Sequence, residues 1–87
     1  MMDVREAVGK AREFVKELYA HEPIGEIGVE EVEFAPDAEP RSWFVTIGFV
    51  RLWDRAAPGT RPERQYRSIR IIDPSGEVIE VKHRSLD

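Results

Sequence analysis

Apolar residues recur near the start of the chain at Val4, Ala7, Val8, Ala11, Phe14, Val15, Leu18 and Tyr19, the three-and-four spacing of a single buried stripe on a helix. Arg5, Glu6, Lys10, Arg12, Glu13, Lys16 and Glu17 fill the remaining positions, so the pattern predicts an amphipathic helix over residues 4–19. Asp3 stands three residues ahead of Glu6, the spacing of a capping box, which places an acid at the positive end of the helix. Pro23 and Gly25 stop the helix. Gly9 costs about 1 kcal/mol relative to alanine inside a helix, and is expected where the helix comes close to a sheet.

After the helix the period changes from 3.6 to 2. Residues 26–34 set Ile27, Val29, Val32 and Phe34 among Glu26, Glu30, Glu31 and Glu33. The parity of the apolar positions switches between Val29 and Val32, so a bulge at Glu30 and Glu31 is needed to keep all four on one face. Residues 35–41, with two prolines and two acids, read as a loop. Residues 42–53, SWFVTIGFVRLW, are the strongest strand, rich in aromatic and β-branched residues and expected at the centre of a sheet. Trp43, Val45, Ile47 and Phe49 then face the helix, while Phe44, Thr46, Gly48, Val50 and Leu52 face away.

Residues 54–62 form an exposed connection rich in proline and glycine. Residues 65–73 make the next strand, with Ile69 and Ile71 inward and Tyr66, Ser68, Arg70 and Ile72 outward. Asp73-Pro-Ser-Gly76 turns the chain into residues 77–83, where Ile79 and Val81 are expected inward and Val78, Glu80 and Lys82 outward. A lone amphipathic helix needs a sheet to cover. The expected fold is therefore α+β: one N-terminal helix packed across a four-stranded antiparallel meander, a single domain over residues 1–87.

An 87-residue chain has room for one core and buries only about 60–65% of its unfolded surface, so modest stability is expected. The absence of cysteine removes disulfides, thiolate metal sites and a cysteine nucleophile. No apolar run reaches the roughly 20 residues of a membrane helix, and no basic segment leads into an apolar one at the N-terminus. A cytoplasmic location is the expectation if Met1 is the native start; a secreted chain with its signal peptide removed reads the same. The net charge of −4 conceals a segregation. Residues 1–40 hold 4 basic and 11 acidic side chains, whereas residues 41–70 hold 7 basic and 2 acidic. The acidic total opposes nucleic acid as a generic partner, and the basic middle keeps that reading in play.

The succession of a helix, a strand opening on Ser42-Trp43, and a strand ending in Ile-Ile-Asp-Pro-Ser-Gly-Glu-Val resembles small PepSY-like domains and the wider cystatin-like group. The resemblance spans nearly the whole chain and implies a helix across an antiparallel sheet. It also implies a non-catalytic domain, with an inhibitory or regulatory role towards a protease or another protein. It brings no catalytic residues and no cofactor.

Candidate chemistry is sparse. His21 and His83 are the only histidines, and a metal site would need both plus a carboxylate such as Glu22 or Asp87; an exposed pair of histidines is the simpler reading, and no metal is expected. The glutamates of residues 26–33 would serve as general acid and base only if one were buried; they read as a solvated acidic edge that discourages edge-to-edge pairing. Arg51, Arg55, Arg61, Arg64, Arg67 and Arg70, with Trp53 and Tyr66, have the composition of a single-stranded nucleic-acid surface, set against ordinary pairing of these arginines with glutamates on neighbouring strands. A ligand cup between helix and sheet, lined by Trp43, Val45, Ile47 and Phe49, contains no titratable group, which favours a filled core.

The outward face carries more weight. Phe44, Val50, Leu52 and Trp53, extended by Tyr66 and Ile72 and flanked by Arg64 and Arg70, form more apolar surface than a solvated sheet face needs. Either residues 54–62 or a curl of the sheet covers it, or it is an interface. The expectation is a non-enzymatic module that binds a protein partner or a second copy of itself, without cofactor, metal or membrane.

Overall fold

Asp3 accepts a hydrogen bond from the Glu6 amide at 2.9 Å and starts helix α1 (Val4–Leu18). The computed structural model describes residues 1–52 and 63–85, in which α1 is followed by β1 (Ile24–Ala35), β2 (Ser42–Arg51), β3 (Arg64–Ile72) and β4 (Val78–His83). The strands form one antiparallel sheet in the order β1-β2-β3-β4, with α1 across one face, so the α+β meander expected from the sequence is the fold. Trp53, the connection 54–62 and Asp87 lie outside the described residues.

The helix meets the sheet along a narrow line. Ala7, Ala11 and Val15 are fully buried against Val45, Ile47, Phe49, Ile69 and Ile71, and Val8, Phe14 and Tyr19 pack at the margins. Small residues at i and i+4 bring the helix axis close to the sheet. Val4 and Leu18 belong to the same apolar stripe but lie in the first and last turns, beyond this line, and Leu18 remains 51% exposed. Gly9 does not approach the sheet. It is exposed, with no atom within 4 Å of where a Cβ would stand, because it lies two positions from both Ala7 and Ala11, about 200° around the helix.

The expected bulge in β1 is present. Val29 pairs with Ile47 and Glu31 with Thr46, so Glu30 is the extra residue, and Val29, Val32 and Phe34 stay on the helix side opposite Ile47, Val45 and Trp43. A second irregularity lies between Gly25 and Gly28, where Glu26 takes φ 51°, a left-handed conformation uncommon for a residue with a side chain. β4 also carries an irregularity that periodicity did not reveal. Arg70 pairs with Glu80 but Ile71 pairs with Val78, and this slip turns Val78 and Val81 towards the core and leaves Ile79 41% exposed. The assignment of Ile79 inward and Val78 outward is thus reversed, while Val81 is where expected. The turn at Asp73–Gly76 closes as predicted: the Gly76 amide donates to the Ile72 carbonyl at 2.8 Å, and Gly76 adopts φ 78°, which a residue without Cβ takes without strain.

Candidate functional site

The face of the sheet opposite α1 is built in rows across the strands. Glu33, Phe44, Arg70 and Glu80 form one row, Glu31, Thr46, Ser68 and Lys82 the next, and Gly28, Gly48 and Tyr66 a third. Phe44 is half-buried beneath Arg70, whose guanidinium carbon lies 5.4 Å from the ring centroid. Arg70 is fixed from the other side: Nε donates to Ser42 Oγ at 2.9 Å and Nη2 to the Pro40 carbonyl at 3.1 Å. Ser42, itself fully buried, donates to the same carbonyl at 2.7 Å.

Arg64 lies flat in a trough made by glycines. A Cβ on Gly48 would stand 2.8 Å from Arg64 Nε and 2.6 Å from Glu30 Oε1, and one on Gly28 would stand 3.0 Å from Arg64 Nη2. In that space Arg64 donates to Glu30 Oε1 from Nε at 3.0 Å and from Nη2 at 2.8 Å, and from Nη1 to the Glu26 carbonyl at 2.7 Å. Both irregularities of β1 thus serve one arginine. The first presents the Glu26 carbonyl, and the second places Glu30 beside Glu31 on the outer face. Glu31 pairs with Arg84 at 2.7 Å and accepts from Thr46 Oγ1 at 3.4 Å.

The residues singled out from the sequence therefore share a face but do not form a bare apolar patch. Phe44, Tyr66 and Ile72 are half-buried, Val50 is only 4% exposed, and Leu52 is 40% exposed with its side chain over Gly25. Arg64 and Arg70 are held in place, and Trp53 lies outside the described residues. Ile79 joins this surface because of the slip in β4. The arginine constellation follows the ordinary reading for Arg64, paired to Glu30 on the neighbouring part of the sheet, whereas Arg51 has its Nε 3.7 Å from Oε2 of Glu22, which precedes β1. Arg55 and Arg61 are outside the described residues.

On the helix side Trp43, Val45, Ile47 and Phe49, the residues expected to line a cup, are buried in one cluster with Ala7, Ala11 and Val15. Trp43 packs on Phe34 at 4.6 Å between centroids and donates its indole N–H to Asp73 Oδ2 at 2.9 Å. Arg41 donates to the other oxygen at 3.2 Å, and the Asp73 amide donates to the Arg41 carbonyl at 2.9 Å. The Trp43 hydrogen bond, with Arg41 and the Met2 amide, holds the Asp73 carboxyl below its ordinary pKa despite burial, which acts the other way. This joint was not anticipated, although the register that sets Ser42 opposite Ile72 brings Arg41 and Asp73 level with each other. His21 and His83 are both exposed, and among the described residues no group of three or more His, Asp or Glu side chains is placed to hold a metal ion. No described helix is long and apolar enough to cross a membrane.

Comparison with protein-family models, with curated proteins and with solved structures gives no match to this chain. The site is therefore interpreted from its own geometry.

Proposed function

We propose that the protein is a non-enzymatic interaction module that engages a protein partner, another chain or a second copy of itself, through the sheet face opposite α1. The observation that carries this reading is the arginine–aromatic platform on that face. Arg70, stacked on Phe44 and clamped by Ser42 and Pro40, is flanked by half-buried Ile72 and exposed Ile79. Aromatic residues and arginine held in fixed conformations are the groups that carry most binding energy in protein interfaces, because little side-chain entropy remains to be lost on contact. The surrounding Arg64–Glu30 and Arg84–Glu31 pairs supply a polar rim. The arrangement of one helix across an antiparallel meander supports a PepSY-like or cystatin-like affinity, and with it an inhibitory, immunity-type or regulatory role.

Light scattering coupled to size exclusion tests the self-associating version. A dimer that Phe44→Asp and Ile79→Asp convert to monomer, with Lys16→Glu on the far side of α1 leaving it intact, is the expected result. For a different partner, the same variants should abolish a complex isolated from the native host. Association that survives Phe44→Asp, Ile79→Asp and Arg70→Glu together, in a chain that still folds, would place the interface elsewhere.

A further inference from the structure

Four arginines of the described sheet and its flanks have a carboxylate within ion-pair distance: Arg41 with Asp73, Arg51 with Glu22, Arg64 with Glu30 and Arg84 with Glu31. Arg67 has none among the described residues, and it is more enclosed than a solvated arginine. Its guanidinium carbon lies 5.5 Å from the Phe49 ring centroid on the helix side of β3. Every polar contact it makes is to a neutral oxygen: Nε to Tyr19 Oη at 3.1 Å, Nη1 to the Tyr66 carbonyl at 2.9 Å and Nη2 to Gln65 Oε1 at 3.1 Å. Its direct neighbours across the sheet are Ile47 and His83, so no acid shares its row. A half-buried cation without a counter-charge loses hydration and recovers only part of it from neutral acceptors.

The same guanidinium opens onto a depression of about 390 Å³ where β4 ends alongside β3. Arg64, Gln65, Tyr66, His83, Arg84 and Ser85 form its other walls, and exposed Glu63 is the one acid on its rim among the described residues. The three fixed contacts leave two of the five N–H groups of Arg67 uncommitted, and they set the plane of the fork before any ligand arrives.

We propose that this depression is an oxyanion site in which Arg67 binds a carboxylate or phosphate group, with His83 as the neighbouring donor. The acid missing from the Arg67 row is supplied by the ligand. The site lies at the end of β4, apart from the Phe44–Arg70 platform, and does not depend on the function proposed above.

Nitrogen-15 spectra of the intact chain, titrated at constant ionic strength with inorganic phosphate and separately with acetate, test this directly. The Arg67 Nε–H signal should shift saturably with a midpoint of about 1–10 mM, the range expected of one charge-assisted fork in an open site, and the tighter of the two probes identifies the source of the anion. The Nε–H of Arg70, bound to Ser42 and outside this depression, should move far less. Arg67→Lys keeps the charge but loses the fork and should weaken binding about tenfold. Linear, unsaturated shifts, or equal movement of the Arg70 and Arg67 signals, would mean diffuse ionic attraction and overturn the proposal; so would an Arg67→Lys chain with native spectral dispersion and unchanged affinity.

Discussion

At the scale of single residues, Gly48 and Asp73 govern the two ends of the sheet in different ways. Gly48 is the floor on which the Arg64–Glu30 pair rests, and a methyl group there would stand within 3 Å of both partners. Because these are the tips of flexible side chains, Gly48→Ala displaces the ion pair instead of the backbone. Its cost should match that of losing a partly shielded pair in which two N–H groups share one carboxylate oxygen, about 1 kcal/mol. Arg64→Ala should cost a similar amount, and the double variant no more than either single one. A double-mutant cycle by urea denaturation measures this non-additivity; simple addition would show that the two sites act independently.

Asp73 is a charge sealed into the joint between the β3–β4 turn and the start of β2, only 4% exposed. Its pKa in the folded chain lies below the usual 3.8, so the unfolded state binds its proton first as pH falls. The stabilisation it contributes is therefore complete above that value and is lost as pH falls below it towards the folded-state value. In Asp73→Asn the loss should be present already at pH 7. The stability difference between wild type and this variant should stay constant from pH 7 to about 5 and narrow below about 4, as followed by urea denaturation at each pH. A difference that is the same at pH 3 and pH 7 would mean that the amide–carboxylate exchange acts through packing and not through charge.

At the scale of elements, what could be read from the sequence depended on whether a local pattern was also the deciding one. The helix was legible because the Ala7, Ala11 and Val15 spacing admits one face, and β2 because its alternation is uninterrupted from Trp43 to Phe49. The bulge in β1 was legible because two adjacent glutamates broke the phase between apolar residues that had to share a face. The slip in β4 was not, since simple alternation buries Ile79 with Val81 and a slipped strand buries Val78 with Val81, two apolar side chains in either case. Burial along the helix was overpredicted for the same kind of reason: periodicity reports direction but not how far the sheet extends beneath each turn. That extent has an energetic consequence. Ala11→Leu inserts a large side chain into the closest helix–sheet contact and should cost about 1–3 kcal/mol by overpacking. Leu18→Lys, at an exposed position of the same stripe, should change stability by about 0.5 kcal/mol or less. Thermal unfolding followed by circular dichroism separates the two.

At the scale of the whole molecule, the charge segregation of the sequence becomes cross-strand neutralisation. The acidic first half enters the sheet as β1, the arginine-bearing segment as β3, and β2 carries no charged residue between them from Ser42 to Val50, which lets Glu30 reach Arg64 across Gly48. The sequence shows the charge excess of each half but not this meeting, because register and the two irregularities of β1 decide it. An arginine surface for single-stranded nucleic acid needs a track of uncommitted cations, each displacing a counterion from successive phosphates. Among the described residues of the sheet, Arg64 and Arg84 are already neutralised from within and Arg70 is directed onto Phe44, which leaves Arg67 as the point of contact on an acidic molecule. A labelled single-stranded oligonucleotide should therefore show no saturating rise in anisotropy up to about 100 µM protein, even at about 20 mM salt, where a track of six or more phosphate contacts would bind orders of magnitude more tightly. Saturation below that concentration, abolished by Arg64→Glu, would mean that the internal pairs open on binding and that the sheet face serves phosphates in place of a protein.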